Sequence, residues 1–444
     1  MRVQYRYTTV CRIKNNEVIF VIAMRTQWRT FTAGASPAVY RILLHGMLFG
    51  LSFSIADMLF NFYLQSLGYD NLVSGQLQSS FRVAGVVLGI PIGMIIDRIS
   101  AQRMLYIGIL TYAIGWGVLL MVHGLTITTP FGEISPLQMM NVLYFIIGAA
   151  NMATYTAVVP LLSTVIEPQQ RASMFGVNAA ASTMVGFVGS ILAGMLPGFI
   201  GSLLGVSATS ESAYRTALFG VCGFGLLAVL PLIGIQKAKH GMAKDAVAPS
   251  TVVPDGERVP LYKLFLFATP SFFFGVAGGM FVPFQNLYFR QQFGASDSIV
   301  GLSIAFGMLA MGVGSILGGP LAKRLGIRRA TSVSRFMAAP LMFVMLIPSF
   351  YVVSVAYDIN RLLVGLTFPL FSALMMQSVP LKQRGTATSM SSMTWSLGWA
   401  GASILSGYMQ ASGSFNTVII ISGLSYMISA VLVQFMPYTD KLPD

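Results

Sequence analysis

Charge is scarce in this chain: 9% of its 444 residues are Asp, Glu, Lys or Arg, against about 25% in a soluble domain. With 55% hydrophobic residues beside it, that shortage points to lipid as the solvent. Cysteine is nearly absent. Cys11 and Cys222 lie far apart and neither joins a C-x-x-C or Cys/His cluster, so no disulfide framework or zinc site is expected. The three histidines, His45, His123 and His240, stand alone, and no H-E-x-x-H, G-x-S-x-G or Walker-type loop occurs. Metal, nucleophile and ATP-driven chemistry therefore have little to build on, and neither an enzyme nor a cofactor is expected.

What is present is a series of long apolar runs. Stretches long enough to cross a hydrocarbon core of about 30 Å fall near 42–66, 73–96, 103–123, 137–164, 172–200, 213–236, 263–290, 297–319, 330–349, 351–379, 385–411 and 415–436. They form two sets of six, separated by a polar, Pro-containing segment from Lys237 to Leu261 with the composition of a linker. The expected organisation is a basic tail (1–40), a first six-helix bundle (41–236), a linker (237–262), a second bundle (263–437) and a short tail (438–444). The fold class expected is an all-α integral membrane protein of twelve transmembrane helices in two pseudo-symmetric six-helix bundles.

The first forty residues carry Arg2, Arg6, Arg12, Lys14, Arg25 and Arg29 around one apolar patch, Val18–Met24. At ~1.5 Å per residue that patch is too short to span, and no small-residue cleavage site follows it. It reads as a cytosolic tail, or as an extension upstream of a start at Met24. Of the 27 Lys and Arg, all but Arg82, Arg215, Arg290, Arg335 and Arg361 fall on tails and loops of one side. That asymmetry places both termini in the cytoplasm. Spread over many short loops, the net charge of +13 is a topology signal, not a nucleic-acid surface.

The two sets repeat one another. Asn61-Phe62-Tyr63 with Gly68 and Gly75 recurs as Asn286-Leu287-Tyr288 with Gly294 and Gly301, and Gly93–Arg98 recurs as Gly319–Arg324. Gln170-Arg171-Ala172 matches Gln383-Arg384-Gly385, and Gly186, Gly189 and Gly194 match Gly398, Gly401 and Gly407. The matches keep their order, as expected of parallel halves related by an axis along the membrane normal.

Two of the repeated segments carry a motif. Gly93 to Arg103 reads GMIIDRISAQR, and Gly319 to Arg329 reads GPLAKRLGIRR. Both resemble the G-x-x-x-D-R-x-G-R-R loop of the major facilitator superfamily, and with twelve helices and a central linker the resemblance extends over about residues 41–436. A glycine at that place lets a neighbouring helix approach, while Asp97 can accept hydrogen bonds from a helix N-terminus and Arg98 can pair with an acid or carbonyl. The resemblance implies a gate that holds the inward mouth shut, formed by Gly93, Asp97, Arg98 and Arg103 in one loop and Gly319, Arg324, Gly326, Arg328 and Arg329 in the other. Ser100, Ala101 and Gln102 replace the G-R-R portion in the first copy and Lys323 replaces the acid in the second, so the latch would rest on Asp97. The arginines serve equally well as topology anchors.

Drug-antiporter signatures of that family are not met. Arg361 and Gly365 echo the fourth-helix R-x-x-x-G, but its place in helix 4 is taken by Tyr144 before Gly148, and the fifth-helix glycines read as packing surfaces.

An ionisable side chain at mid-bilayer costs at least ~2.5 kcal/mol and so marks a functional candidate. Asp57 and Arg82 each lie nine residues from the outer ends of helices 1 and 2, about 14 Å deep at ~1.5 Å per residue, and are expected to pair across the two helices. Asp358 and Arg361 share a face of helix 10 and are expected to pair locally. Arg335 is expected to snorkel to the cytosolic surface.

Asn61, Gln65, Asn151, Tyr155, Asn178, Gln285 and Asn286 extend a polar path, most of it on helices 1, 4, 7 and 10, which line the cavity in the resembled fold. The aromatics Phe60, Phe62, Phe281, Phe284 and Trp395 flank that path and suggest an amphipathic solute. The expected substrate and coupling cavity is thus Asp57, Asn61, Arg82, Asn151, Tyr155, Gln285, Asn286, Asp358 and Arg361, with Asp57 as protonation or cation-sensing site. A purely structural ion pair is the competing account of Asp57 and Arg82.

The reading is a secondary transporter in the plasma membrane, working by alternating access on a small molecule. Its partners are lipid and substrate, with protons as the expected coupling ion and no obligate protein partner. A non-transporting sensor or scaffold of the same fold stays open, as does the choice between drug-type export (efflux) and metabolite import.

Overall fold

The computed structural model describes residues 36–130, 132–166, 171–235, 259–380, 383–413 and 415–436. Residues 1–35 of the basic tail, with the alternative start at Met24, residues 237–258 of the linker and the C-terminal tail lie outside the described residues; the first helix begins at Pro37, inside the expected tail. Twelve long helices occupy the rest: α1 (Pro37–Ser66), α2 (Asn71–Ile99), α3 (Ala101–Leu119), α4 (Pro136–Val165), α5 (Arg171–Leu204), α6 (Glu211–Leu227), α7 (Leu261–Phe293), α8 (Asp297–Leu325), α9 (Ile327–Val344), α10 (Phe350–Gln377), α11 (Arg384–Ala411) and α12 (Phe415–Gln434). Their starts follow local chemistry: Asp70 caps the Val73 amide at 3.0 Å, and Ser135 with Gln138 forms a reciprocal capping box before α4. A small hairpin, Ile127–Thr129 with Gly132–Ile134, joins α3 to α4, and the apolar pattern gave no hint of it.

Eight of these helices are long and apolar enough to cross a membrane on composition alone. The other four, α2, α3, α9 and α11, carry more polar residues, and much of that polarity is turned inward. Ser332 of α9 donates to the Ala430 carbonyl at 2.8 Å, and in α11 Thr394 and Ser406 donate to the carbonyls of Ala268 and Met280 at 3.0 and 2.5 Å. Such bonds remove the penalty that hydrocarbon would otherwise exact on each hydroxyl.

Helix pairing repeats between the sets. In the first, α1 packs on α5 and α6, α2 on α4, and α3 on α4 and α6; in the second, α7 packs on α11 and α12, α8 on α10, and α9 on α10 and α12. Across the halves the main contacts are α2 with α11 and α8 with α5, which exchange under the same repeat. Two six-helix bundles of one design thus meet along two equivalent seams. The glycines of the duplication sit in those seams: a Cβ on Gly407 would fall 2.6 Å from the Asn71 carbonyl oxygen and close to Gly75, and one on Gly194 would fall 2.6 Å from the Asp297 carbonyl oxygen and close to Gly301. Only hydrogen at these Cα atoms lets the backbones touch.

The repeat also explains one strained residue. Ser100, between α2 and α3, has φ 87° and ψ 145°, and Gly326, between α8 and α9, has φ 77° and ψ 149°. That region is open to glycine and costs other residues about 1–3 kcal/mol. Ser100→Gly is therefore expected to stabilise the fold by about 1 kcal/mol after glycine's larger chain entropy is counted; an unchanged or lowered midpoint of thermal unfolding in detergent would contradict the strain.

Candidate functional site

The site is built where α1, α2, α4 and α11 come together. Two turns along α2 from the Gly75 seam, Arg82 meets the aromatic residues of α11: its guanidinium carbon lies 4.6 Å from the Trp399 ring centre, 5.4 Å from Trp395 and 5.6 Å from its neighbour Phe81. Trp399 fits between the helices because Gly278 of α7 has no side chain; a Cβ there would lie 2.5 Å from the indole. Asp57 on α1 interacts electrostatically with Arg82, but the expected ion pair is not made. The salt bridges between described residues are Arg215–Glu211 at 3.3 Å and Arg290–Asp297 at 2.5 Å. Stacking on two indoles holds the guanidinium against α11 and away from the carboxylate. Among the described residues neither Asp57 nor Arg82 has a hydrogen-bond partner.

Tyr155 of α4 packs edge-on against Phe49 and Phe53 of α1, with ring centres 5.8 and 6.3 Å apart, yet is 50% exposed. A residue held among interior aromatics and still half exposed faces a space between the helices. Asn151, one turn earlier on the same face, is buried with its Nδ2 unpartnered, as are Arg82 Nε and the Nε1 atoms of Trp395 and Trp399.

The second half contributes differently from expectation. Asp358 and Arg361 do not pair: Arg361 is buried against the Tyr357 ring at 5.4 Å and donates to Asn360 Oδ1 at 3.3 Å, while Asp358 Oδ1 is left without a partner. Packing against α8 pulls the arginine inward, since Gly307 leaves room for both Tyr357 and the Arg361 stem. Gln285 accepts from the Tyr357 hydroxyl at 2.8 Å. Arg335 does not snorkel. It is 2% exposed, donates to Ser429 at 2.7 Å and to the Pro270 carbonyl at 3.3 Å, and lies over Phe274 and Phe371 at 4.5 and 4.2 Å. Of the flanking aromatics, Phe60, Phe62, Phe281 and Phe284 are fully buried in packing and line no path, whereas Trp395 keeps its place beside Arg82.

Asn61 and Asn286 bond to one another, at 3.0 Å, across the two halves. Each also reaches backbone on the other side: Asn61 donates to the Pro283 carbonyl at 2.5 Å and Asn286 to the Met58 carbonyl at 2.7 Å. The acceptor exists because α7 breaks into a 3-10 turn at Val282–Phe284. Further toward the end of the molecule opposite the termini, Asn71 donates to Gln410 at 3.1 Å and to Gln291 at 3.3 Å. There Arg290 also lies over the Phe62 ring at 3.9 Å, and Tyr214 donates to Asp297 at 2.7 Å. These contacts close the far end. Sequence reasoning missed Asn71, Tyr214, Arg290, Gln291, Asp297 and Gln410; only the repeated Asn61 and Asn286 signalled that this level mattered.

At the termini end, among the described residues, no hydrogen bond crosses between the halves. Added Cβ atoms on Gly93 and Gly319 would touch nothing within 4 Å, and Arg98, Arg103, Arg324 and Arg329 are exposed. Arg328 bonds the Met436 carbonyl at 3.4 Å, within its own half. Gly326 forms the turn described above, and the Asp97 side chain lies outside the described residues. The hydrogen bonds seen between the halves, among the described residues, thus lie toward the opposite end.

Residues 42–277 and 267–443 match the family model described as Major Facilitator Superfamily. No curated protein sequence matches the chain. Among solved structures, a point mutant of the nucleoside transporter NupG is 18% identical with a TM-score of 0.68, covering 90% of this chain and 99% of its own. A bacterial homolog to the human lysosomal transporter Spinster, in an inward-facing and occupied conformation, is 15% identical with a TM-score of 0.67, covering 91% and 96%. The D-xylose-proton symporter is 14% identical with a TM-score of 0.68, covering 90% and 97%. At these identities the likeness is one of fold.

Proposed function

The chain belongs to the Major Facilitator Superfamily, and we propose that it is a proton-coupled secondary transporter of a small solute, working by alternating access in the plasma membrane. With the Lys and Arg of the loops on the cytoplasmic side, the termini end faces the cytosol and the conformation described here opens inward. The observation that carries this reading is the one-sided closure: among the described residues, every hydrogen bond between the halves lies on the far side of Asp57 and Arg82 or at their level, and none lies below. A binding level closed to one side and open to the other is one half of an alternating cycle, and the repeated seams supply the symmetry for the other half. The gate motif would then engage in the outward-open state.

Proton coupling is assigned to Asp57, the acid beside Arg82; that one fold neighbour is a proton symporter agrees with the assignment. In proteoliposomes, wild-type flux is expected to respond to an imposed pH gradient and Asp57→Asn flux to lose that response while exchange of solute persists. Flux of the variant matching wild type from about pH 5 to pH 8, where a buried carboxyl can titrate, would remove Asp57 from the coupling role.

A further inference from the structure

The duplication is kept in some places and lost in others, and the two sets differ in kind. Asn61 and Asn286, Gly75 and Gly301, and Gly194 and Gly407 are retained in both copies and hold the far end closed. The same offset of 226 that relates Gly75 to Gly301 sets Met308 opposite Arg82, and the offset of 225 that relates Asn61 to Asn286 sets Val282 opposite Asp57. Likewise the offset of 212 that relates Gly186 to Gly398 sets Phe187 opposite Trp399 and Thr183 opposite Trp395, so neither indole N–H is repeated. Contacts that must be made alternately at two equivalent seams are repeated; groups that meet a solute, which has no such symmetry, need appear only once.

The groups that appear once are mostly hydrogen-bond donors lacking acceptors. Arg82 Nε, Trp395 Nε1, Trp399 Nε1 and Asn151 Nδ2 are buried and unpartnered, a costly state that an acceptor-rich ligand relieves. The guanidinium carbon lies over both indoles, whose centres are 5.0 Å apart, and with its Nε–H unpartnered the group can offer paired donors to the oxygens of a planar anion. Charge limits that anion. Arg82 and Asp57 are the charged residues that interact at this level, with Tyr112, Tyr144, Tyr155 and Tyr357 as their titratable neighbours; when Asp57 carries its proton, Arg82 offers one positive charge, which a monoanion matches and a dianion exceeds. Around the donors the walls are aromatic: Phe81, Trp395, Trp399, Phe53 and Tyr155.

We propose that Arg82, supported by Trp395, Trp399 and Asn151, is the anchor for the carboxylate of a monoanionic solute with an apolar or aromatic body. The inference rests on the transport reading for its biological setting, though the anchor can be tested by binding alone.

The test uses the purified full chain and follows tryptophan fluorescence and thermal stability. The probes are benzoate, indole-3-acetate and octanoate, each beside its primary amide, with phenyl phosphate and benzylamine as dianionic and cationic controls. At least one acid is expected to bind about tenfold or more tightly than its amide. Arg82→Gln is expected to weaken it about 10- to 100-fold, as loss of a charge-assisted hydrogen bond does. Trp395→Phe keeps the ring stack and removes one donor; it is expected to lose about 3- to 10-fold and serves if Arg82→Gln does not fold. Amides or benzylamine binding as well as the acids, phenyl phosphate binding more tightly, undiminished affinity in both variants, or no acid bound by wild type would each overturn the anchor. Flux in proteoliposomes separates the two readings: an acid bound but never carried defeats transport and leaves the anchor, while benzylamine carried with no acid bound defeats the anchor and leaves transport.

Discussion

Bridging Asn71→Cys on α2 to Gln410→Cys on α11 with a short bis-thiol reagent is expected to bring solute flux in proteoliposomes down to background, and cleaving the bridge to restore it. The two side chains touch across the halves at 3.1 Å, at the mouth that must open for the second half of the cycle. Their hydrogen bond is worth only about 1 kcal/mol net and is easily exchanged for water, so the unbridged protein opens there at little cost. A covalent bridge has no such exchange, and the outward-open state drops out of the ensemble. A bridge between Ser271→Cys on α7 and Ser391→Cys on α11 supplies the control, because those hydroxyls meet at 2.7 Å within one half and the halves move as units. Flux that survives the first bridge, or falls equally with the second, would mean that the halves do not rock.

Leucine at Gly75 and leucine at Gly365 are expected to fail in different ways. At both positions an added Cβ would run into backbone: Gly75 against the Ser403 carbonyl of the other half, Gly365 against the Met311 carbonyl of its own. The α8–α10 crossing at Gly365 persists through any rocking motion, so Gly365→Leu overpacks every state of the protein. Such overpacking costs about 1–3 kcal/mol or more out of a total stability of about 5–15 kcal/mol, and the expected result is aggregated protein or a sharply lowered unfolding temperature. In the proposed cycle the α2–α11 seam at Gly75 is made in one state and broken in the other. Gly75→Leu is therefore expected to give monodisperse protein of near-normal thermal stability whose equilibrium has moved toward the outward-open state. A shift of about 1.4 kcal/mol is tenfold, and flux should fall by at least that factor while far-end cysteines label faster. Equal loss of folded protein in both variants would refute the distinction.

Helix positions were legible in the sequence because lipid imposes a local rule. Each crossing needs its own apolar run, and the expected limits of α4, α10, α11 and α12 agree with the observed ones within about two residues, while α1 starts five residues earlier and α8 ends six later than expected. Repetition was legible for a related reason, since identical seams need identical glycines. Side-chain destinations were not. Arg335 and Arg361 both sit in packed surroundings, the first bonded to Ser429, 94 residues on, and the second to its own neighbour Asn360, and neither contact follows the three- or four-residue helical spacing. Asp57 and Arg82 were found as residues, but the indoles that keep them apart come from α11, some 300 residues later. Asn61 and Asn286 were found by their repetition and assigned to a cavity; the Pro283 turn that offers Asn61 a carbonyl showed them to be part of the closure.

Arg290 and Asp297, 2.5 Å apart, belong to the same half, and what faces them from the other half is the neutral Tyr214. Arg290 also donates to Tyr214, and the other bonds across the far end join amides to amides or to carbonyls and the Ser298 hydroxyl to the Gly194 carbonyl. When that mouth parts, among the described residues no cation is drawn away from an anion: Arg290 and Asp297 leave together, giving up the Tyr214 hydroxyl and the Phe62 ring, and the other contacts are uncharged dipoles that trade one another for water. Opening is thus largely indifferent to ionic strength, which screens separated charges and leaves short-range dipolar contacts nearly untouched.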